Sequence, residues 1–239
     1  HLATTPTLTE IWSYDPREWQ GAELGWSVGS AGNINADAWT DVYVSAPGAS
    51  TTTATNIGLV YVFYGTGGVP NGTPNTVLTA GTGEAARGSR FGEAVATVGD
   101  VDGDGIDDLM VGASSYNFRT EKSKAGGAFV FSGSPTGLNV VPDWSEFGEA
   151  ANTYFGASVA SAGDVNGDGI SDAIVGAPGY RGVGAAYVYF GSVSGLVTET
   201  AHVVSGTSAS GYGRAVAGLG DVDKDGYDDV VVGAPLYDR

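Results

Sequence analysis

Asp100, Asp102, Asp104 and Asp108 stand at positions one, three, five and nine of a nine-residue segment, with Gly105 at the sixth. Alternate acidic side chains around a glycine turn can converge their oxygens on one hard cation, and an all-oxygen set without His or Cys selects against zinc or copper. The pattern recurs at Asp164, Asn166, Asp168 and Asp172, and at Asp221, Asp223, Asp225 and Asp229. A weaker copy, Asn33, Asn35, Asp37 and Asp41, comes first. The copies begin at residues 33, 100, 164 and 221, spaced by 67, 64 and 57 residues, which is a repeat array rather than one metal site. An EF-hand would close its loop with Glu at position twelve between two helices, but that position holds Val44, Val111, Val175 or Val232. The ninth-position Asp is therefore the expected closing ligand, and calcium is expected to be structural. The competing interpretation is an acidic hairpin turn that binds no metal. The Asp100 and Asp221 loops offer four carboxylates each, the Asp164 loop three and the Asn33 loop two. Affinity is expected to follow that order.

These loops need rigid hairpins to hold them, and the rest of each repeat supplies the parts. An aromatic or Leu beside Gly comes first (Leu24-Gly25, Phe91-Gly92, Phe155-Gly156, Tyr212-Gly213). A short strand of small residues such as 94–98 follows, suited to the crowded innermost strand of a radial array. The acidic loop is then the turn into a second strand ending at Ser45-Ala46-Pro47, Gly112-Ala113-Ser114, Gly176-Ala177-Pro178 or Gly233-Ala234-Pro235. A third strand alternates aromatic and aliphatic residues (60–64, 128–131, 186–190), and a more polar fourth is expected over 75–79, 138–144 and 197–204. Four strands in about 60 residues, with no helical period, predict an all-β chain: a β-propeller of four-stranded antiparallel blades.

The remaining composition agrees. The 239 residues include 40 Gly, more than twice the usual share of about 7%, as many tight turns require. No apolar stretch approaches the ~18 residues of a membrane span, so no membrane insertion is expected. The net charge of −17 disfavours nucleic acid and anionic membranes as partners. Thirteen of the 27 acidic residues occupy positions one, three, five and nine of the loops, and without bound cations the loops should repel themselves apart. There is no Cys, which removes disulfides and thiolate chemistry. Calcium loops of ordinary affinity need millimolar free calcium, favouring a secreted or cell-surface setting. His1 is not an initiator Met, so a processed chain is expected.

The Phe-Gly and Gly-Ala-Pro punctuation around Asp-x-Asp-x-Asp-Gly-x-x-Asp resembles the FG-GAP repeat of integrin α-subunit propellers, in four in-phase copies over nearly the whole chain. Ala113-Ser114 departs from Ala-Pro, and Asn33, Asn35 and Ala38 stand where Asp, Asp and Gly are expected. The resemblance implies up to four Ca2+ ions, held by side chains at positions one, three, five and nine. The carbonyl of the seventh residue, Trp39, Ile106, Ile170 or Tyr227, would add a ligand. It also implies a ring of seven blades, whereas this chain supplies about four: 23–90, 91–154, 155–211, and a first half in 212–239. Residues 1–22 are expected to hold the outer strand of a neighbouring or last blade, because Trp12 precedes Gly25 much as Trp144 precedes Gly156. Further blades, favoured here, or a second copy would complete the ring.

Other signals carry less. Gly25-Trp26-Ser27-Val28-Gly29 matches G-x-S-x-G, but it occupies the column of blade-opening strands and has no helix to follow it. His1 and His202 alone could titrate near neutrality; His202 is expected on an outer strand and His1 to be incidental. Gly81-Thr82-Gly83 lacks the Lys of a phosphate loop, and Asn71-Gly72-Thr73 is a glycosylation sequon in a loop.

Loops at the end opposite the acidic hairpins carry Tyr14, Trp19, Tyr116, Phe118, Arg119, Tyr180, Arg181 and Tyr237, of which Tyr116, Arg119, Tyr180 and Arg181 are the ligand-binding candidates. A binding module for protein or glycan is the leading expectation, with no enzymatic activity. An accessory or catalytic domain of a secreted hydrolase, or a structural assembly subunit, are the alternatives.

Overall fold

The computed structural model describes residues 12–14, 21–51, 55–81, 83, 86–117, 123–198 and 202–237. Its strands are β1 Val28–Gly32, β2 Asp41–Ala46, β3 Leu59–Phe63, β4 Thr76–Leu78, β5 Ala94–Gly99, β6 Asp108–Ala113 and β7 Gly127–Phe131. They continue with β8 Trp144–Phe147, β9 Ser158–Gly163, β10 Asp172–Ala177, β11 Ala185–Tyr189, β12 His202–Ser205, β13 Ala215–Gly220 and β14 Asp229–Gly233. Three antiparallel sheets of four strands run in chain order, β1 to β4, β5 to β8 and β9 to β12, and β13 pairs with β14 in a fourth sheet. The first strands stand side by side, β1 against β5, β5 against β9 and β9 against β13. The sheets are therefore arranged radially, as propeller blades with their small-residue strands innermost.

The core lies between blades. Val60, Val62 and Tyr43 of the first blade pack with Phe91, Leu109, Val111 and Phe129 of the second. Met110 and Val130 of the second pack with Phe155, Val175, Tyr187 and Tyr189 of the third. A strand covered on both faces must be apolar throughout, and every residue of β6 and of β10 is buried.

This packing explains the punctuation. Phe91 meets the edges of Phe129 and Phe131 at 5.7 and 6.0 Å, and Phe155 meets Tyr187 and Tyr189 at 5.2 and 6.4 Å. The Gly that follows donates its N–H to the Gly ending the second strand of the same blade: Gly92 to Gly112, Gly156 to Gly176 and Gly213 to Gly233, each at 3.0 Å. Gly112 and Gly176 in turn lie against the carbonyl oxygens of Gly156 and Gly213 in the next blade, where any Cβ would collide. The two glycines of each repeat thus fix both the closure of a blade and its distance from the next.

Two outer strands begin later than expected. Residues 138–143 form a turn before β8, in which Asp143 accepts the Ser132 N–H at 3.0 Å and Pro142 has no N–H to give a ladder. β12 covers His202–Ser205, residues 197–198 stand outside any strand, and 199–201 lie outside the described residues. Trp12 stands edge-on to Phe63 at 4.9 Å, as Trp144 of the second blade does to Tyr189 of the third. The segment before it lies outside the described residues.

Candidate metal-binding hairpins

Each acidic loop joins the first and second strands of a blade, so all four project from the same end of the fold. Asp100 organises the second hairpin: Oδ1 accepts the N–H groups of Gly103 and Asp104 at 2.6 and 3.0 Å, and Oδ2 that of Gly105 at 2.7 Å. Asp104 accepts the N–H of Ile106 at 2.8 Å. Asp164 makes the same three bonds to Gly167, Asp168 and Gly169, and Asp168 accepts from Ile170 at 2.9 Å. In the fourth hairpin Asp221 accepts from Asp225 and Gly226, and Asp225 from Tyr227. Glycine at position six has φ of +89° and +86° at Gly105 and Gly169, a conformation that side-chain-bearing residues disfavour. The first hairpin differs at position one: among the described residues Asn33 Oδ1 accepts no hydrogen bond, and Asn33 Nδ2 donates to the Asp37 carbonyl at 3.1 Å. Asn35 and Asp37 bond to each other as Asn166 and Asp168 do, and Asp37 Oδ1 accepts the Trp39 N–H at 2.6 Å.

The ninth-position Asp sits at the base of each loop and is fully buried in the first three, at Asp41, Asp108 and Asp172. Asp108 accepts the Val101 N–H at 2.9 Å with one oxygen and the Gly133 N–H at 2.9 Å with the other. Asp41 does the same with Ile34 and Gly65, and Asp172 with Val165 and Gly191. The residue thus ties the loop to the end of the third strand. Among the described residues Asp229 accepts from Val222 alone, at 3.0 Å, and is half-buried.

Burial and crowding act together on these carboxyls. Burial pushes the Asp108 carboxyl up to about 7, against its two backbone bonds, with Asp102 and Asp100 adding repulsion. Asp172 is raised to about 6 for the same reason, with Asp168 and Asp164 as its charged neighbours. Asp41 and Asp102 are also raised, chiefly by burial. Carboxylate oxygens of Asp100, Asp102 and Asp108 lie within 4.8 Å of one another, as do those of Asp221, Asp223 and Asp225. Among the described residues, buried Asn33 Oδ1 has no hydrogen-bond partner. Converging oxygens, carboxyls pushed upward and an orphaned amide oxygen all fit a hard divalent cation.

A feature the sequence reading missed is the eighth position. Asp107 accepts the Asn33 N–H of the preceding blade at 2.8 Å while its own N–H reaches the Asn33 carbonyl at 3.3 Å. Asp228 repeats both bonds to Asp164, at 2.9 and 3.0 Å. The Asp-Asp pairs 107–108 and 228–229 were the available signal.

At the opposite end the binding candidates separate. Tyr180 is buried against Tyr187 with Arg181 over its ring at 4.8 Å, and Tyr116 is half-buried against Phe129 and Phe147. Both rings therefore pack blades, while Arg181 and Tyr237 are exposed. Arg119, Trp19 and Phe118 lie outside the described residues. Ser27 reaches Tyr43 Oη at 3.5 Å, and His202 is exposed on β12 beside Phe190, so the structure does not bring these two together as a catalytic pair. Among the described residues no helix is long and apolar enough to cross a membrane.

An array of radial sheets carrying oxygen-rich hairpins on one end defines a class, and its signature is matched by the FG-GAP repeat model at residues 24–63, 91–131, 155–189 and 212–239. The chain belongs to the FG-GAP repeat family. It is 36% identical over 153 residues to integrin alpha-6 of Gallus gallus, covering 61% of this chain and 13% of that protein. To integrin alpha-3 of Cricetulus griseus it is 36% identical over 153 residues, 62% of this chain and 14% of that one. To integrin alpha-8 of Mus musculus it is 31% identical over 233 residues, 92% of this chain and 20% of that one. The chain thus spans a fifth or less of the length of these relatives.

Proposed function

We propose that this is a calcium-stabilised, extracellular adhesion-type module that binds a protein ligand through the loops opposite the acidic hairpins. The observation that carries the proposal is the repetition of one oxygen-rich hairpin at the same end of successive blades, within a family whose relatives are integrin alpha subunits. Asp100, Asp102, Asp104 and Asp108 would hold the ion of the second hairpin, with the Ile106 carbonyl. Asp164, Asn166, Asp168, Asp172 and Ile170 would serve the third, Asp221, Asp223, Asp225, Asp229 and Tyr227 the fourth, and Asn33, Asn35, Asp37, Asp41 and Trp39 the first. A bound cation neutralises the converging carboxylates and so stiffens the hairpin; no catalytic step is assigned to it. The protein's own residues do the positioning, through the Asp108-type ties below and the Asp107-type clasps between blades.

The same interpretation assigns the open faces at the ends of the array to further blades. Trp26 beside β1, Val28 at its start, and Leu219 and Val231 on β13 and β14 are each about half exposed or more, unlike the equivalent interior surfaces. Covering them extends the stacking already seen between neighbouring blades. The experiment is a solid-phase adhesion assay of the chain against extracellular matrix proteins, in calcium and in EDTA. Calcium-dependent retention reduced by Arg181→Ala supports the proposal, and the absence of retention on any protein overturns it.

A further inference from the structure

Two Asn-Gly pairs occur in the chain, Asn71-Gly72 and Asn166-Gly167. In such a pair the backbone nitrogen after Asn can attack the side-chain amide, because glycine puts no Cβ in the way and lets the backbone turn back on itself. Both pairs lie at the hairpin end of the fold and both glycines are exposed. Asn166 is in the third acidic loop, and Asn71 is in the connection from β3 to β4, which leaves β3 beside the start of β2. Hydrogen bonding separates them.

At Asn166 every reacting group is engaged. The Gly167 N–H donates to Asp164 Oδ1 at 2.7 Å, Asn166 Nδ2 donates to Asp168 Oδ2 at 3.0 Å, and Asn166 Oδ1 accepts the Asp168 N–H at 2.9 Å. The Gly167 nitrogen therefore reaches Asn166 Cγ only when the hairpin opens. Asn71 has none of these restraints: among the described residues neither Asn71 nor Gly72 makes a hydrogen bond, both are exposed, and a Cβ on Gly72 would meet nothing within 4 Å. The connection is held at its ends instead. The Gly65 N–H donates to Asp41 Oδ1 at 2.8 Å, the Tyr64 N–H to Asn75 Oδ1 at 2.9 Å and the Asn75 N–H to the Val62 carbonyl at 2.8 Å. A rearrangement at residues 71 and 72 breaks none of these bonds.

We propose that Asn71 is a site of spontaneous modification, deamidating to a mixture of aspartyl and isoaspartyl residues, while its hairpin protects Asn166. The Gly72 nitrogen gives its proton to hydroxide or water and bonds to Asn71 Cγ. The Cγ–Nδ2 bond then breaks, and Nδ2 takes a proton from water and leaves as ammonia. Water next adds to one carbonyl of the cyclic imide and breaks that carbon's bond to the Gly72 nitrogen. Opening at the side-chain carbonyl gives Asp, and opening at the main-chain carbonyl gives isoaspartate. One water is consumed and one ammonia released, with no change of oxidation state. The product adds a negative charge to the end of the fold that already carries the acidic loops, and it removes the amide that the Asn71-Gly72-Thr73 sequon offers for glycosylation. The two modifications compete for one nitrogen.

The test is peptide mass spectrometry of the whole chain, produced in a host that does not glycosylate and incubated folded, with calcium, in mildly alkaline buffer. A gain of about 1 Da, divided between two chromatographic species, is expected at Asn71 at least about tenfold faster than at Asn166. In concentrated urea with EDTA the two rates should come within about twofold of each other, since only the folded hairpin distinguishes the pairs. Gly72→Ala should slow the Asn71 reaction by about tenfold or more. Asn71→Asp should leave the melting temperature unchanged, as the bonds at the ends of the connection require. Conversion of Asn166 as fast as Asn71 in the folded chain overturns the proposal, as does an Asn71 that reacts only in urea.

Discussion

The carboxylate of Asp228 accepts the backbone N–H of Asp164 at 2.9 Å, joining the first residue of one acidic hairpin to the eighth residue of the next. The Asp228 N–H returns the bond to the Asp164 carbonyl at 3.0 Å. Ser171 takes the equivalent place against Asp100, its N–H donating to that carbonyl at 3.1 Å. The acidic hairpins are therefore coupled to the stacking of blades. Gly163 is required beside this clasp, because a Cβ there would collide with the Asp228 carboxylate and its φ is +76°.

Removing that acceptor should loosen one blade from the next. Asp228→Ala is expected to cost about 1–3 kcal/mol, the usual penalty for stranding a partly buried backbone donor. Urea unfolding followed by tryptophan fluorescence reads it. A change of a few tenths of a kcal/mol would show that the clasp contributes nothing.

Asp108 should matter even where no metal is bound. Its two oxygens satisfy two backbone donors, so Asp108→Ala in EDTA is expected to cost about 2–5 kcal/mol. The mutation also relieves repulsion from Asp100 and Asp102, but burial already holds the carboxyl near about 7, so that relief is partial. Asp104→Ala, at an exposed position whose side chain gives up one hydrogen bond, to the Ile106 N–H, is expected to cost about 1 kcal/mol or less in EDTA. Equal effects of the two substitutions in chelator would refute the tie.

Close approach between blades gives a third expectation. Gly176→Ala places a methyl group against the Gly213 carbonyl oxygen, which is backbone and has little room to move. The cost expected is about 1–3 kcal/mol. Gly68→Ala, where a Cβ meets nothing within 4 Å, should be nearly silent in the same thermal melts.

The blade architecture was legible because its signals are local: a strand with period two, a turn with glycine at its sixth residue, and a fixed aromatic-Gly pair. The Phe-Gly and Gly-Ala columns are readable as punctuation, but the need for glycine at Gly112 arises from the touch of Gly156 in another blade, which no local pattern reveals. The outer strands were placed too early because Asp143 spends its carboxylate capping Ser132 ahead of β8, a choice no alternation of residue types announces. Tyr180 was legible as an aromatic in a loop, yet whether such a ring faces solvent or Tyr187 is decided by a neighbouring strand distant in sequence.

Carboxylate count sets the order of affinities expected: the Asp100 and Asp221 loops, with four each, tightest, and the Asn33 loop, with two, weakest. Asp102→Asn should therefore remove a tight site from a calorimetric titration, and Asp37→Asn a weak one. Loss of the same site from both would contradict the ranking.

The central claim is that calcium held by these hairpins stabilises the propeller, and the most direct measurement is a thermal melt of the chain in EDTA and across a calcium series. An ion bound only by the folded state adds about 2.7 kcal/mol per site when its free concentration is a hundred times its Kd. The melting temperature is expected to rise continuously with calcium and to fall in EDTA, with Asp102→Asn removing part of the rise. An unchanged melting temperature from EDTA to millimolar calcium would contradict the account.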